Sequence, residues 1–446
     1  MIYIIILGTE KGVYMKTVKV VSIVIMLLVL SAVCVFAKGG AEDTSKGGPA
    51  EITFWTFNNT HQEFFEDAAA RWNQQNPDRQ IQLLGETFPY EDMHNNLLIA
   101  LQSGVGAPDM VDIELGKFPN FLQGDIQLVP MNDYVDKVKD DFITARFEIY
   151  SKDGKYYGMP FHVGAGVIYY NVEILNAAGV NPDSIKTWDD FVQAGLKVKE
   201  KTGKLMTSLE TTEHWSFWPL ISQQGSDFFY PDGRVALDND INIKTLQFLY
   251  DLIYKYGIAA PAAGGYHHSE EYYGAMNAGT YASIWMPMWY MNRFTDYMPD
   301  LKGKIAIRPA PAWTPGGTRS SGLGGTGTVV TNQAKNIELT KEFLAFAKLS
   351  EEGNIRIWEF LGFDPPRWSV WDDPAMNQPN KFTQYFTNKD IFGLLLEVKD
   401  EINPITVTAK LPECIGLVQR DVMFQVLGDR SKTPAQALRD AANKLR

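Results

Sequence analysis

Residues 51–113 read EITFWTFNNTHQEFFEDAAARWNQQNPDRQIQLLGETFPYEDMHNNLLIALQSGVGAPDMVDI, and this stretch decides the fold. Glu51–Trp55 alternates polar and apolar residues, the period of a strand half-buried on one face. From His61 to Asn76 the apolar positions Phe64, Phe65, Ala68, Ala69 and Trp72 recur at helical spacing, and Pro77 ends the run. Ile81–Leu84 is a second strand. A helix over Asp92–Ser103 stops at Gly104, and Met110–Ile113 is a third strand. Strand, helix, strand, helix, strand at this spacing predicts a parallel sheet covered by helices, hence an α/β fold.

The pattern resumes downstream. Thr187-Trp188-Asp189-Asp190 reads as a capping box opening a helix to about Lys201. Thr245–Tyr256 and Leu339–Leu349 read as helices, Ile305–Ile307 and Thr328–Thr331 as strands. Thr433-Pro434-Ala435-Gln436 caps a last helix to Arg446. No internal repeat interrupts the order.

Of 446 residues, 45% are apolar and 21% charged, with a formal net charge of -12. A body this acidic is a poor partner for nucleic-acid phosphates or anionic lipid, so neither is expected. Met15 begins MKTVKV followed by VSIVIMLLVLSAVCVFA, a basic start, an apolar run and a small-x-small end at Val35-Phe36-Ala37. That order predicts a secretory signal over residues 1–37, with Met15 as the true start and a flexible Gly-bearing linker over 38–50. Cys34 and Cys414 are the two cysteines. Cleavage at Ala37 leaves one, too few for an intrachain disulfide. Leu30-Ser31-Ala32-Val33-Cys34 loosely resembles a lipobox, so lipid attachment at Cys34 is the alternative to simple cleavage.

Catalytic signatures are weak. Gly322-Leu323-Gly324-Gly325-Thr326-Gly327 matches GxGxxG in form, but it precedes the β-branched run Thr328–Thr331 where a dinucleotide site needs a helix. His267-His268 beside Glu270 and Glu271 lacks a ligand spacing and reads as a solvated loop. The aromatics say more. A sugar presents apolar C–H faces and hydroxyl edges, which call for flat aromatic platforms and planar polar groups. Tryptophan clusters in irregular stretches: Trp215 with Trp218, Trp285 with Trp289, Trp313, and Trp368 with Trp371.

Segments along nearly the whole remaining chain resemble the extracellular solute-binding proteins of family 1, the group containing the maltose- and glycerol-phosphate-binding proteins of ABC importers. They are ITFWTF, RWNQQNP, ALQSGVGAPDMVDIE, DGKYYGMPFHVGAGVIYYN, NAAGVNPDSIKTWDDF, MNAGTYASIWMPMW, KEFLAFAKLSEEG and LGFDPPRWSV. Their order carries the likeness. It implies a two-lobed periplasmic-binding-protein fold, type II-like, with a hinge and an interlobe cleft. Residues 51–143 plus 309–352 would form lobe 1, and 144–308 plus 353–446 lobe 2. Passages are expected near 142–145, 307–311 and 350–354. It implies a monomeric, non-enzymatic, exported receptor without cofactor. The receptor would bind a sugar or oligosaccharide reversibly and hand it to a membrane permease. The alternatives are a binder of glycerol phosphate or iron, and a secreted carbohydrate enzyme. A phosphate ligand would call on Arg319 or Arg367.

Loops at strand ends converge on the cleft in open α/β sheets, which singles out Trp55, Thr56, Phe57 and Asn58 after the first strand and Glu114 after the third. Family-equivalent segments add His162, Trp285, Trp289, Gly324, Gly325 and Arg367, and the clustering of tryptophan adds Trp215 and Trp218. Trp289 is the expected stacking platform, with Glu114 and Arg367 holding hydroxyls or an anion. The chain departs from the maltose binder at Gly164 and Gly116-Lys117, where that protein carries polar sugar contacts, so maltose itself is not the expected ligand.

Overall fold

The computed structural model describes residues 48–446, and Pro49–Arg446 form one compact unit. The expected signal, the Cys34 site and most of the linker lie outside the described residues. The first five elements follow the sequence pattern: β1 Ala50–Thr56, α1 Asn59–Gln75, β2 Ile81–Thr87, α2 Tyr90–Ser103 and β3 Met110–Glu114. Ile52, Phe54 and Thr56 point to one buried face of β1, while Thr53 and Trp55 point to the other. Phe54 packs on Phe65 of α1 with ring centroids 4.7 Å apart. The Trp72 indole N–H donates to the Arg79 carbonyl at 2.8 Å and fixes the turn from α1 into β2. Asn58 caps α1 by accepting the Thr60 N–H.

Chain order then adds β4 Met159–Pro160, β5 Gly166–Asn171, α3 Trp188–Thr202, α4 Asp240–Tyr254, α5 Glu270–Asn277, β6 Ser283–Pro287, α6 Met291–Tyr297, β7 Ile305–Pro309, β8 Thr326–Val330, α7 Ile337–Lys348 and α8 Pro434–Leu445. The expected capping box at Thr187 and Asp190 opens α3, and a second one at Thr433 and Gln436 opens α8. Two main sheets result. The first runs β2-β1-β3-β8-β4, with β1 parallel to β2 and β3, and β8 antiparallel to its neighbours. The second runs β6-β5-β7, antiparallel throughout.

The passages between sheets differ from the expectation. Residues 145–160 were expected beyond the first passage, yet Met159–Pro160 pair with β8 in the first sheet, and Phe147 lies in the same apolar cluster as Phe54 and Phe65. The free edge of β8 needs hydrogen-bond partners, and β4 supplies them. Likewise Ile357, Leu361 and Phe363 still pack with that cluster. The chain therefore runs between sheets at 161–165, within 310–325, and after 361. The three passages meet. The Asp364 carboxylate accepts the Gly164 and Ala165 N–H groups at 3.2 and 2.7 Å, and the Leu323 N–H donates to the Gly164 carbonyl at 2.9 Å. Gly164 has φ 82°, and a Cβ there would lie 2.2 Å from the Leu323 oxygen, so only glycine fits this crossing.

One apolar cluster joins the two halves, from Val111 and Ile113 of β3 through Trp188 of α3 to Leu445 of α8. The helix Leu411–Leu417 seats Ile415 against Gly116, where a Cβ would be 2.8 Å from the isoleucine. Among the described residues no helix is long and apolar enough to cross a membrane.

Candidate functional site

β1 and β2 end on the same side of their sheet, because they are parallel and in register from Ala50↔Ile81 to Thr56↔Thr87. The loops that follow carry Phe57 and Asn58, then Phe88 and Pro89. Facing them across a cavity of about 600 Å3 are the start of α5 and one face of α6. His268, Glu270 and Tyr273 contribute from the first, and Arg293, Asp296 and Tyr297 from the second. Glu63, from the first turns of α1, adds a third carboxylate. The cavity thus has aromatic surface, carboxylate acceptors and one guanidinium donor, and its charge is net acidic. Burial, then the nearby Arg293, holds His268 well below the ordinary histidine range, so at neutral pH it faces the cavity uncharged. Burial pushes the Tyr273 hydroxyl up to about 12, so it is a donor at neutral pH.

The expected residues divide into three groups. Phe57 and Asn58 line the cavity. Beside it, Trp55 packs edge-on against Phe88 with centroids 5.1 Å apart. Trp289 stands behind the lining: His268 lies nearly parallel to it at 5.7 Å, and Trp215 meets it edge-on at 5.2 Å. The Trp289 indole N–H donates to the Leu323 carbonyl at 3.4 Å. Gly324 fits under this pair, since a Cβ there would be 2.9 Å from the Trp289 indole nitrogen.

A second group lies around the passages, with His162 and Gly325 buried and Glu114 half-buried. Glu114 accepts the Tyr90 hydroxyl at 3.0 Å and the Gly116 N–H at 2.6 Å, and burial raises its pKa. Arg146 donates to the Gly324 carbonyl at 2.6 Å, and Gly325 passes so close to Tyr150 and Arg146 that a Cβ would overlap both. His162 packs on Phe363, held neutral by burial and by Arg146.

The third group, against expectation, does not line the cavity and is engaged in contacts within the fold. Thr56 faces inward and donates to Asp112 at 2.8 Å, in a buried network with His61 and Thr328. Trp218 is buried, stacked on Phe228 at 4.6 Å with its N–H on Asp227 at 2.7 Å. Trp285 is buried against Trp188 at 5.2 Å. Arg367 is held by Asp141 at 2.7 Å and Glu351 at 3.1 Å, with the Leu349 carbonyl at 2.8 Å. Its donors are spent on tying the third passage to the first lobe's edge. The His267-His268 pair is not a solvated loop. His267 is buried on Ser208 at 3.0 Å while His268 turns to the cavity, the divergence that adjacent side chains impose.

Sequence reasoning missed Tyr273, Arg293, Asp296 and Tyr297. Their signal was the spacing of Arg293, Asp296 and Tyr297, which puts a cation, an anion and an aromatic on one face of a short helix.

Comparison with known proteins agrees with this architecture. The family described as bacterial extracellular solute-binding protein matches residues 58–354. The arabinooligosaccharide-binding protein of Bacillus subtilis is 51% identical over 435 residues, covering 97% of this chain and 100% of that protein. The arabinooligosaccharide-binding protein of Halalkalibacterium halodurans is 54% identical over 394 residues, 88% of each chain. Among solved structures, an ABC substrate-binding protein from Listeria monocytogenes in complex with cycloalternan superposes with a TM-score of 0.74 at 19% identity, over 89% of this chain and 98% of that one. A binding protein from B. animalis subsp. lactis in complex with beta-1,6-galactobiose gives the same score and identity over 89% and 97%. Those two likenesses show the two-lobed fold. With a family match over most of its length and two relatives above half identity, this chain belongs to the bacterial extracellular solute-binding proteins.

Proposed function

We propose that this protein is the receptor of an ABC importer and binds an arabino-oligosaccharide reversibly in the cavity between the β1 and β2 loops and the α5–α6 face. The observation that carries this reading is the 51–54% identity to two arabinooligosaccharide-binding proteins over 88–97% of the chain. The cavity chemistry supports it. Phe57, Phe88 and Tyr297 offer apolar faces, and Glu63, Glu270, Asp296 and Arg293 offer groups that bond hydroxyls. A phosphate ligand is disfavoured. Arg319 is paired with Glu397 and Glu401, Arg367 with Asp141 and Glu351, and the cavity itself is acidic.

In this reading lobe 1 comprises 50–160 plus 326–361 and lobe 2 comprises 166–309 plus 366–446, hinged where the three passages meet. Closure desolvates the ligand and presents the closed form to the permease. The protein acts outside the cytoplasm after removal of the N-terminal signal, with Cys34 as the alternative lipid anchor, and carries out no covalent chemistry. Titration calorimetry with arabinotriose, maltose and glycerol 3-phosphate tests the assignment. Saturable one-to-one binding of arabinotriose alone is expected. No heat from arabinotriose at about 1 mM, a level that detects even weak complexes, overturns it. Turnover of a chromogenic arabinoside would replace the receptor reading with an enzymatic one.

A further inference from the structure

Within α6, Arg293, Asp296 and Tyr297 share one helical face, and that face lines the cavity. Tyr297 is 42% exposed. One face of its ring is covered: Tyr273 of α5 lies parallel beneath it, centroids 4.7 Å apart and planes 4° from each other. The stack fixes the plane of Tyr297 and leaves the opposite face open. Arg293 sits one turn away, and among the described residues its buried Nε has no hydrogen-bond partner. Asp296 supplies an acceptor between them, its one ion pair among the described residues a long one to Lys381 at 3.8 Å. A rigid aromatic plane, an unsatisfied planar donor and an acceptor, all from one helix face, match a pyranose or furanose unit: C–H groups on the ring, hydroxyls at the edge.

We propose that Tyr297, stacked on Tyr273 and flanked by Arg293 and Asp296, forms a distal sugar subsite that sets the chain length of the bound oligosaccharide. The proposal rests on the oligosaccharide reading of the cavity. It assigns the α6 face to a sugar unit beyond those held by the β1 and β2 loops. A disaccharide occupies the loop side alone, while longer chains reach Tyr297. The α6 face therefore contributes affinity for the longer ligands and nothing for the shortest.

The experiment is calorimetry of arabinobiose, arabinotriose and arabinotetraose binding to the wild type and to Tyr297→Ala, Tyr297→Phe and Arg293→Gln. Thermal melts of each ligand-free variant accompany it. In the wild type the association constant should rise about tenfold or more between the biose and the tetraose, the increment of a buried aromatic contact. Tyr297→Ala should remove most of that rise, costing the tetraose far more affinity than the biose. Tyr297→Phe keeps the ring plane and should retain the rise; Arg293→Gln should halve it or more. Equal loss for all three ligands, or an undiminished rise in Tyr297→Ala, overturns the subsite while leaving the receptor assignment intact. Failure of the wild type to bind any of the three overturns the receptor assignment and the subsite with it.

Discussion

Replacing Asp364 with alanine tests whether the point where the three passages meet holds the two lobes together. The carboxylate is fully buried and accepts two backbone N–H groups, from Ala165 at 2.7 Å and Gly164 at 3.2 Å. Both donors belong to a segment running between sheets, where no strand partner can replace the acceptor. Truncation strands them, and an unsatisfied buried donor costs about 1–3 kcal/mol. A loss of about 2–4 kcal/mol of folding stability is therefore expected for Asp364→Ala at neutral pH, with Asp364→Asn losing about half as much because its amide oxygen keeps one bond. The penalty should also depend on pH. Burial raises this carboxyl to about 6, above its unfolded value. Its stabilising share is complete below the unfolded value and is lost as pH rises through about 6, so the alanine penalty should be larger at about pH 5 than at about pH 7.5. Urea melts at both values read it directly. An Asp364→Ala protein that melts within about 0.5 kcal/mol of the wild type at both values would refute the junction argument.

Glu210 is buried with its carboxylate on the His267 and Ser216 N–H groups, and burial, with Glu213 nearby, pushes it up to about 8. Wild-type stability should decline as pH rises from the unfolded carboxyl value through about 8, and Glu210→Gln should flatten that slope; parallel pH profiles from urea midpoints would count against it. Trp289 joins clusters from both sheets behind the cavity lining. Trp289→Ala should cost about 2–4 kcal/mol of ligand-free stability with a smaller effect on affinity, and an unchanged melt beside lost binding would return it to the role of stacking platform.

Much of the fold was legible because its signals are local. Apolar spacing over Phe64–Trp72 and the Pro77 stop place α1, and Thr187 with Asp190 caps α3 through bonds only three residues apart. The loops after β1 were legible as one wall of the cavity for a topological reason, since parallel strands end together. What escaped was decided by distant partners. Trp215 and Trp218 look alike in sequence. Trp218 becomes core because Asp227 and Phe228 close over it, while Trp215 stays half-buried against Trp289. Arg367 reads as a free cation until Asp141 arrives from the far side of the hinge. The first passage was misplaced because nothing near Met159 announces that β8 lacks a neighbour on that edge.

The first sheet has a consequence for the order in which the protein can be assembled. Its third strand, β3, ends at Glu114, and the neighbour that covers it, β8, begins at Thr326. A nascent chain that has produced β1, β2 and β3 holds three strands with an open edge, and almost all of the second sheet's segment must be made before that edge closes. Even then β4 waits for β8, since it has no other partner in the sheet. Closure of the β3 edge, with the docking of β4, is therefore deferred until the last third of the chain exists. The early strands can pair with one another while translation proceeds, but the sheet keeps an open edge at β3 for most of the chain's synthesis.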